Sequence, residues 1–189
     1  MKRSPRLILA SSSPRRARIL RSLGVGFEVR PADVDESPLQ GEGPVAMVRR
    51  LARAKALVPK RGPSDCVLAA DTVVVMKERI LGKPRDRAEA RSMLKRLSGR
   101  PHVVITGVAV VWSGGMTTAV DRTEVRFRRM TDTEIAGYVR TGEPLDKAGA
   151  YHIEGGGAAF IESVAGSPSN VAGLSVTTAR RLLKRARVL

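Results

Sequence analysis

The sequence has few of the residues that form crosslinks, stack on bases or insert into membranes. Its 189 residues include one cysteine, Cys66, and 3% aromatic residues. A single cysteine excludes an intrachain disulfide and a multi-cysteine metal site, so we expect a reduced, cytoplasmic setting. Few aromatic side chains argue against a protein that stacks on single-stranded nucleic acid. No apolar run approaches the length of a membrane span, and the run from Leu7 to Ala10 is too short for a signal peptide.

Acidic residues are also scarce relative to basic ones. The chain has 18 Asp and Glu against 34 Lys and Arg, which gives a net charge of +16. Such a protein attracts polyanions, so nucleic acid, nucleotides and anionic surfaces are all candidate partners. The charge is spread along the chain and, apart from Arg-Arg pairs at 15, 49, 128 and 180, forms no long basic block. We therefore expect a solvated basic surface and do not expect nucleic acid as the partner.

Apolar runs alternate with amphipathic segments, a pattern that predicts an α/β protein. In the segment 44–58, the residues Val45, Val48, Leu51, Ala52 and Leu57 have the spacing of one buried helix side. The sequence shows no repeats and no linker. We predict a single α/β domain over residues 1–189, with a mixed, twisted β-sheet flanked by helices. The expected strands are 6–11, 27–30, 66–76, the hairpin return 78–84, 102–112, 117–130 and 160–166, and the expected helices are 14–23, 44–58, 86–97, 131–139 and 171–186.

The segment SSSPRR, residues 11–16, joins the first predicted strand to the first helix. Ser13 is a natural N-cap, and Pro14 suits the first helical position. A helix N-terminus presents unpaired N–H groups and a partial positive charge, so serine hydroxyls and the guanidiniums of Arg15 and Arg16 would complete a phosphate site. A capped helix with surface arginines explains the same residues equally well. The glycine-rich loop of P-loop proteins is absent.

Two acidic and two basic residues are further candidates for chemistry. Asp71 interrupts the apolar strand, where a carboxylate is costly unless it is paired or functional. Such an acid can bind a metal, activate water or cap a strand end. Glu36, in the loop DVDES, Lys55, among helix alanines, and Lys83, in LGKPRD, are each typical of solvated residues when taken alone. Gathered around one anion, they would form a catalytic site.

Seven segments of the chain, taken in order, resemble the motifs of one family: LASSSPRR, VDE, AADTVV, LGKPRD, LSGRPHVVITGVAV, EPLDKAGAYHIEG and SNVAGL. Together they resemble the Maf family, the septum-formation-inhibitor-like nucleotide pyrophosphatases. The resemblance implies a Maf/ITPase-like fold and hydrolysis of nucleoside triphosphates between the α and β phosphates. The products would be a monophosphate and pyrophosphate. The resemblance also implies a divalent cation, Mg²⁺ or Mn²⁺, as cofactor and a homodimer as the oligomeric state.

Carried onto this sequence, the family motifs assign a role to each candidate residue. Asp71 would orient and deprotonate the attacking water, and Glu36 would join it in holding the metal. Lys55, Lys83 and Arg15 would stabilise the charge that grows on the phosphoryl oxygens. Four residues of the first motif would lie at the phosphates: Ser11, Ser13, Arg15 and Arg16.

The base of the nucleotide is less clear from the same resemblance. ADT at 70–72 and DKAGAY at 146–151 resemble the dTTP and UTP branch, and a water or the Thr72 hydroxyl could supply a donor for the base. That branch usually has glutamine where this sequence has Glu154, and a carboxylate can only accept hydrogen bonds. Two acceptors suit a guanine, so a 7-methyl-GTP pyrophosphatase is an alternative. A basic nucleic-acid-binding or cell-division regulator without catalysis is the alternative of another class, and it would not need Asp71, Lys55 and Lys83.

Overall fold

The computed structural model describes residues 5–189, so the basic tip MKRS lies outside the described residues. Six α-helices and seven strands are assigned in this range, with short 3₁₀ helices at Glu143–Asp146, Ala148–Ala150 and Gly156–Phe160. The strands are β1 (Arg6–Leu9), β2 (Phe27–Val29), β3 (Asp65–Met76), β4 (Arg79–Leu81), β5 (Pro101–Trp112), β6 (Gly115–Phe127) and β7 (Ile161–Ala165). The helices are α1 (Pro14–Arg21), α2 (Pro44–Leu57), α3 (Arg87–Leu97), α4 (Asp132–Arg140), α5 (Pro168–Val171) and α6 (Val176–Arg185).

The strands form one sheet in the order β2-β1-β3-β5-β6-β7, and β4 pairs with β3 outside this path. β1 runs parallel to both β2 and β3, whereas β4 is antiparallel to β3 and β7 is antiparallel to β6. Parallel and antiparallel pairs in one sheet confirm the predicted α/β class with a mixed sheet. Within residues 5–189, no helix combines the length and apolar character needed to cross a membrane.

The chain divides into two compact units, each of which is described by itself. Unit 1 comprises the described residues up to Asp71, with Thr106–Asp121 and Gly173–Leu189. Unit 2 comprises Thr72–Ile105 and Arg122–Ala172. The divisions fall within β3, β5 and β6. The expectation that residues 1–189 form a single domain stays a prediction.

In unit 1, a glycine brings helix α2 against strand β5. A Cβ built on Gly107 would lie 2.3 Å from the carbonyl oxygen of Val48, so a side chain there would collide with the helix backbone. Lys55 follows Val48 by two helical turns and therefore lies on the same side of α2. The close approach thus buries the side of the helix that carries Lys55, which is 7% exposed.

In unit 2, aromatic rings pack around Phe127 in the core. The rings of His102 and Tyr151 meet Phe127 edge to face, with centroids 5.0 and 4.8 Å away. His102 Nε2 lies 2.9 Å from the Tyr151 hydroxyl. The Asn170 side-chain amide donates to the carbonyl oxygen of Val104 at 3.2 Å, which ties α5 to β5. The core of this unit therefore contains a small buried polar network.

Three predicted helix starts are confirmed by their caps. The Ser13 hydroxyl accepts from the backbone N–H of Arg16 at the start of α1. Asp86 caps α3 by accepting from the backbone N–H of Glu89. Thr131 starts α4 with the complete capping box that the T-x-x-E pattern predicts.

Two details of the predicted helices are wrong. The terminal helix does not run from 171 to 186, because Gly173 has a φ of +110° and Ser175 caps a new helix that starts at Val176. Leu57 does not share the buried side of α2 and is 58% exposed. It follows Val48 by nine residues, and at 3.6 residues per turn this spacing puts it on the opposite side of the helix.

Acid should destabilise the protein through His102. Burial lowers the pKa of His102 from 6.5 to about 4, so the unfolded chain takes up this proton more readily than the folded one. The associated stability is complete above pH 6.5 and is lost as the pH falls towards 4. Between pH 7 and pH 4.5, the free energy of unfolding in urea should fall by roughly 2–3 kcal/mol more in the wild type than in His102→Gln. Equal losses of unfolding free energy in the two proteins would show that His102 does not cause the acid destabilisation.

Candidate active site

In unit 1, the Lys55 ammonium links two carboxylates. Its Nζ lies 2.6 Å from Asp71 Oδ1 and 2.6 Å from Glu36 Oε1. Asp71 is 6% exposed, whereas the side chain of Glu36 on its loop is 56% exposed. An isolated buried charge would be very costly, and the ion pair offsets that cost for both Lys55 and Asp71. The structure thus brings together three of the predicted catalytic residues.

At the start of α1, the predicted phosphate-binding residues form a hydrogen-bonded network. The buried Ser11 hydroxyl accepts from the Ser13 backbone N–H and from Arg16 Nη1, both at 3.2 Å. Arg16 Nε donates to the carbonyl oxygen of Gly173 at 3.0 Å, which ties α1 to the segment before α6. Arg15 lies half-buried in the first turn. The network preorganises this helix start, and its contact with phosphate stays a prediction.

The acids of unit 1 act electrostatically on Arg16. Burial lowers the pKa of the Arg16 guanidinium, and the negative charges of Asp71 and Glu36 act in the opposite direction. The positive charge of Arg15 adds to the lowering. The serine-arginine segment and the Lys55 ion-pair group therefore form one electrostatic cluster within unit 1.

In unit 2, Lys83 is exposed on a turn whose backbone is held on both sides. The carbonyl oxygen of Gly82 accepts from the backbone N–H of Gly149 at 3.0 Å, and Pro84 is buried. Gly149 has a φ of +70°, and a Cβ on it would lie 2.8 Å from Val74 Cγ2. Glycine is therefore required where the DKAGAY segment meets this turn.

The two residues expected to contact the base also belong to unit 2. Thr72 is half-buried in β3. The side chain of Glu154 is 41% exposed, and its Oε2 lies 3.9 Å from Nε2 of His152. Contact of Thr72 and Glu154 with a nucleotide stays a prediction.

The motif EPLDKAGAYHIEG contains a well-connected residue that was not among the predicted site residues. Glu143 accepts from the Tyr138 hydroxyl at 2.6 Å and from the backbone N–H groups of Gly156 at 3.2 Å and Gly157 at 3.4 Å. A Cβ built on Gly155 would lie 2.5 Å from Glu143 Oε2. The Glu143 carboxylate thus leaves no room for a side chain at Gly155, the first glycine of the run 155–157. No periodic pattern links residues 143 and 156, so the sequence carries no direct signal for this contact.

The group around Lys55 has the chemical parts of a hydrolytic site. A carboxylate can take a proton from water, and the neighbouring cations can bind an anion. Within residues 5–189, no three His, Cys, Asp or Glu side chains converge as a metal-binding group. Asp71 and Glu36 converge as a pair, on the ammonium of Lys55.

Known proteins resemble this chain along nearly its whole length. The profile of a family described as "Maf-like protein" matches residues 6–186. The chain is 54% identical to the dTTP/UTP pyrophosphatase of Anaeromyxobacter dehalogenans strain 2CP-1 over 187 residues, covering 97% of this chain and 95% of the relative. It is 51% identical to the dTTP/UTP pyrophosphatase of Myxococcus xanthus strain DK1622 over 181 residues, covering 95% and 92%. Among solved structures, a HAM1 protein from Coxiella burnetii aligns with a TM-score of 0.48 at 17% identity, covering 96% of this chain and 100% of that one.

Removing the Lys55 ammonium should destabilise the fold. In Lys55→Met, the buried Asp71 carboxylate loses its partner, and the free energy of unfolding in urea should fall by about 3 kcal/mol. The double variant Lys55→Met with Asp71→Asn should recover part of the loss, because it removes the uncompensated charge.

The control for this measurement is Arg53→Met, which changes an exposed residue on the same helix. It should change the free energy of unfolding by at most about 0.5 kcal/mol. If Lys55→Met is as stable as this control, the ion pair does not stabilise the fold.

Proposed function

The chain belongs to the Maf family, and on that premise we propose that it hydrolyses dTTP and UTP to the monophosphate and pyrophosphate. The proposal rests on one observation: the family's candidate base, Asp71, is buried against the Lys55 ammonium, with Glu36 on the same nitrogen. The dTTP/UTP pyrophosphatases to which the chain is more than 50% identical support the choice of substrate. A regulator without catalysis would need this group only for stability, so pyrophosphate release separates the two functions.

The Lys55 ion pair permits both proton transfer and phosphate binding. An ammonium has three N–H donors, and the two carboxylates use two of them. The third can donate to a phosphoryl oxygen of the substrate without breaking either pair. Asp71 Oδ1 accepts from Lys55, and Oδ2 is the oxygen that takes the proton of the attacking water. Lys55 thus orients the base and stabilises the developing negative charge.

The remaining cations bind the triphosphate. Arg15 lies in the first turn of α1, where the helix N-terminus adds fixed N–H donors. Lys83 is exposed on its backbone-anchored turn and can reach an anionic group. Ser11, Ser13 and Arg16 keep the helix start in the conformation that receives the phosphates.

The two carboxylates fit the divalent cation that the family resemblance implies. Mg²⁺ and Mn²⁺ prefer hard oxygen ligands, and Mg²⁺ is commonly bound by one or two carboxylates together with substrate phosphates and water. Asp71 and Glu36 supply such a pair, and we assign them as the protein's metal ligands. When bound, the cation would lower the pKa of water and neutralise phosphate charge.

We assign base recognition to Thr72 and Glu154. The Thr72 hydroxyl can donate to a carbonyl of uracil or thymine, and Glu154 can accept from N3–H of the same base. A carboxylate would also suit the N1–H and N2–H₂ groups of guanine, so 7-methyl-GTP is the second candidate substrate. We further propose that the protein acts in the cytoplasm as a homodimer.

Replacing the proposed base should abolish turnover and preserve the fold. Asp71→Asn keeps the size of the side chain, and Glu36 remains as a partner for Lys55. The kcat for dTTP and UTP, measured as pyrophosphate release with Mg²⁺ or Mn²⁺, should fall by roughly 10²–10⁴-fold. Chelation by EDTA should also abolish wild-type release. If the variant unfolds like the wild type and retains more than a tenth of the activity, Asp71 is not the base.

Glu154→Gln should shift selectivity towards pyrimidines, because an amide also donates to the carbonyls of uracil and thymine. The kcat/KM for UTP and dTTP relative to GTP and 7-methyl-GTP should rise by roughly tenfold, the scale of one hydrogen bond. A strong wild-type preference for 7-methyl-GTP would overturn the pyrimidine assignment. Unchanged ratios in the variant would exclude Glu154 from base recognition.

A further inference from the structure

The glycine-rich segment 152–157 of unit 2 is a turn whose two ends are attached to the same pair of side chains. At its start, the backbone N–H of His152 donates to the Tyr138 hydroxyl at 3.0 Å. At its end, the backbone N–H groups of Gly156 and Gly157 donate to the Glu143 carboxylate. The Tyr138 hydroxyl in turn donates to Glu143 Oε1 at 2.6 Å. This set of bonds, the Glu143 latch, leaves only residues 153–155 between the anchored ends.

The packing shows that the segment is built around this latch. A Cβ on Gly155 would lie 2.5 Å from Glu143 Oε2, and one on Gly156 would lie 3.1 Å from the Tyr138 ring. A Cβ on Gly157 would lie 2.8 Å from the backbone nitrogen of His152. Three consecutive glycines would otherwise make a chain of high conformational entropy. The rigidity of the turn therefore comes from the latch.

The Glu143 carboxylate is well suited to this task because it stays ionised. Burial alone would raise its pKa, but the hydrogen bonds from Tyr138 and the two glycine amides outweigh burial and hold the pKa below its ordinary value. Hydrogen bonds to an ionised carboxylate are about twice as strong as neutral ones. At neutral pH, the Glu143 carboxylate is therefore ionised and accepts the hydrogen bonds of the latch.

Glu154 lies at the tip of the latched turn. The carbonyl oxygen of His152 accepts from the Gly155 backbone N–H at 3.2 Å, so residues 152–155 form a closed turn that contains Glu154. Its backbone position is then determined by Glu143 and Tyr138, neither of which is a candidate for contact with the nucleotide.

We propose that Glu143 is a positioning residue for nucleotide selectivity, acting by holding the turn that presents Glu154 to the base. This inference rests on the proposed function, in which Glu154 contacts the base. Loss of the latch lets the turn sample other conformations, so the base is bound less tightly and less selectively. The chemistry at the phosphates, carried by residues remote in sequence, is unaffected.

Two single variants each weaken the latch by changing one of its two side chains. Glu143→Gln keeps the shape and removes the charge, and Tyr138→Phe removes the hydroxyl that joins both ends while keeping the ring packed against Phe160. Each should change the UTP-to-GTP ratio of kcat/KM by roughly tenfold, the effect of one charge-assisted hydrogen bond, mainly through KM. Glu124→Gln, an exposed change on β6 of the same unit, should leave the ratio unchanged.

A double-mutant cycle separates positioning from general destabilisation. Glu154→Ala should itself change the ratio, and adding Glu143→Gln to it should change the ratio no further. A uniform loss on all nucleotides, or full additivity with Glu154→Ala, would overturn the proposal. The dissociation constants of the non-hydrolysable α,β-methylene analogues of UTP and GTP give the same ratio without turnover. If the wild type releases no pyrophosphate, the proposed function fails, whereas binding ratios that are insensitive to Glu143→Gln overturn the selectivity role.

Discussion

The ion pair between Lys55 and Asp71 is the interaction on which unit 1 depends. Lys55 and Asp71 are each more than 90% buried, and the 2.6 Å contact between Nζ and Oδ1 offsets the cost of burying them. Glu36 adds a second carboxylate from a loop and leaves the group with excess negative charge. In the proposed function, that excess attracts the divalent cation, and the third donor of Lys55 binds a phosphoryl oxygen. Stability and the proposed chemistry therefore use the same atoms.

Glycines place the charged residues in both units, for reasons of space more than of flexibility. Gly107 lets the backbone of α2 approach β5, which buries the side of the helix with Lys55. Gly149 leaves room for Val74 and anchors the turn that carries Lys83. In each case a methyl group would push a functional segment out of position. The site is therefore supported by backbone contacts that no side-chain motif describes.

Local signals made much of the fold predictable. The caps at Ser13, Asp86 and Thr131 follow from hydrogen bonds that span three residues, and all three were correct. The terminal helix was misjudged because apolar spacing ran on through residues 171–175, whereas the left-handed conformation of Gly173 interrupts the helix. The prediction that Leu57 is buried was wrong because its apolar character was given more weight than its angular position around α2. One error concerns where a helix starts and the other which side of a helix a residue occupies.

The sequence alone determined the α/β class, the helix starts at Ser13, Asp86 and Thr131 and, through its ordered motifs, the family and the residue types of a phosphate-cleaving site. These properties depend on short-range spacing, which a linear pattern preserves. Only the tertiary structure decided that Lys55 is buried between Asp71 and Glu36, that Arg16 donates to the carbonyl oxygen of Gly173, and that Glu143 closes a turn 13 residues further along the chain. Those contacts join segments remote in sequence. Their geometry depends on which helix side and which loop the packed backbone brings together, and no local pattern records that choice.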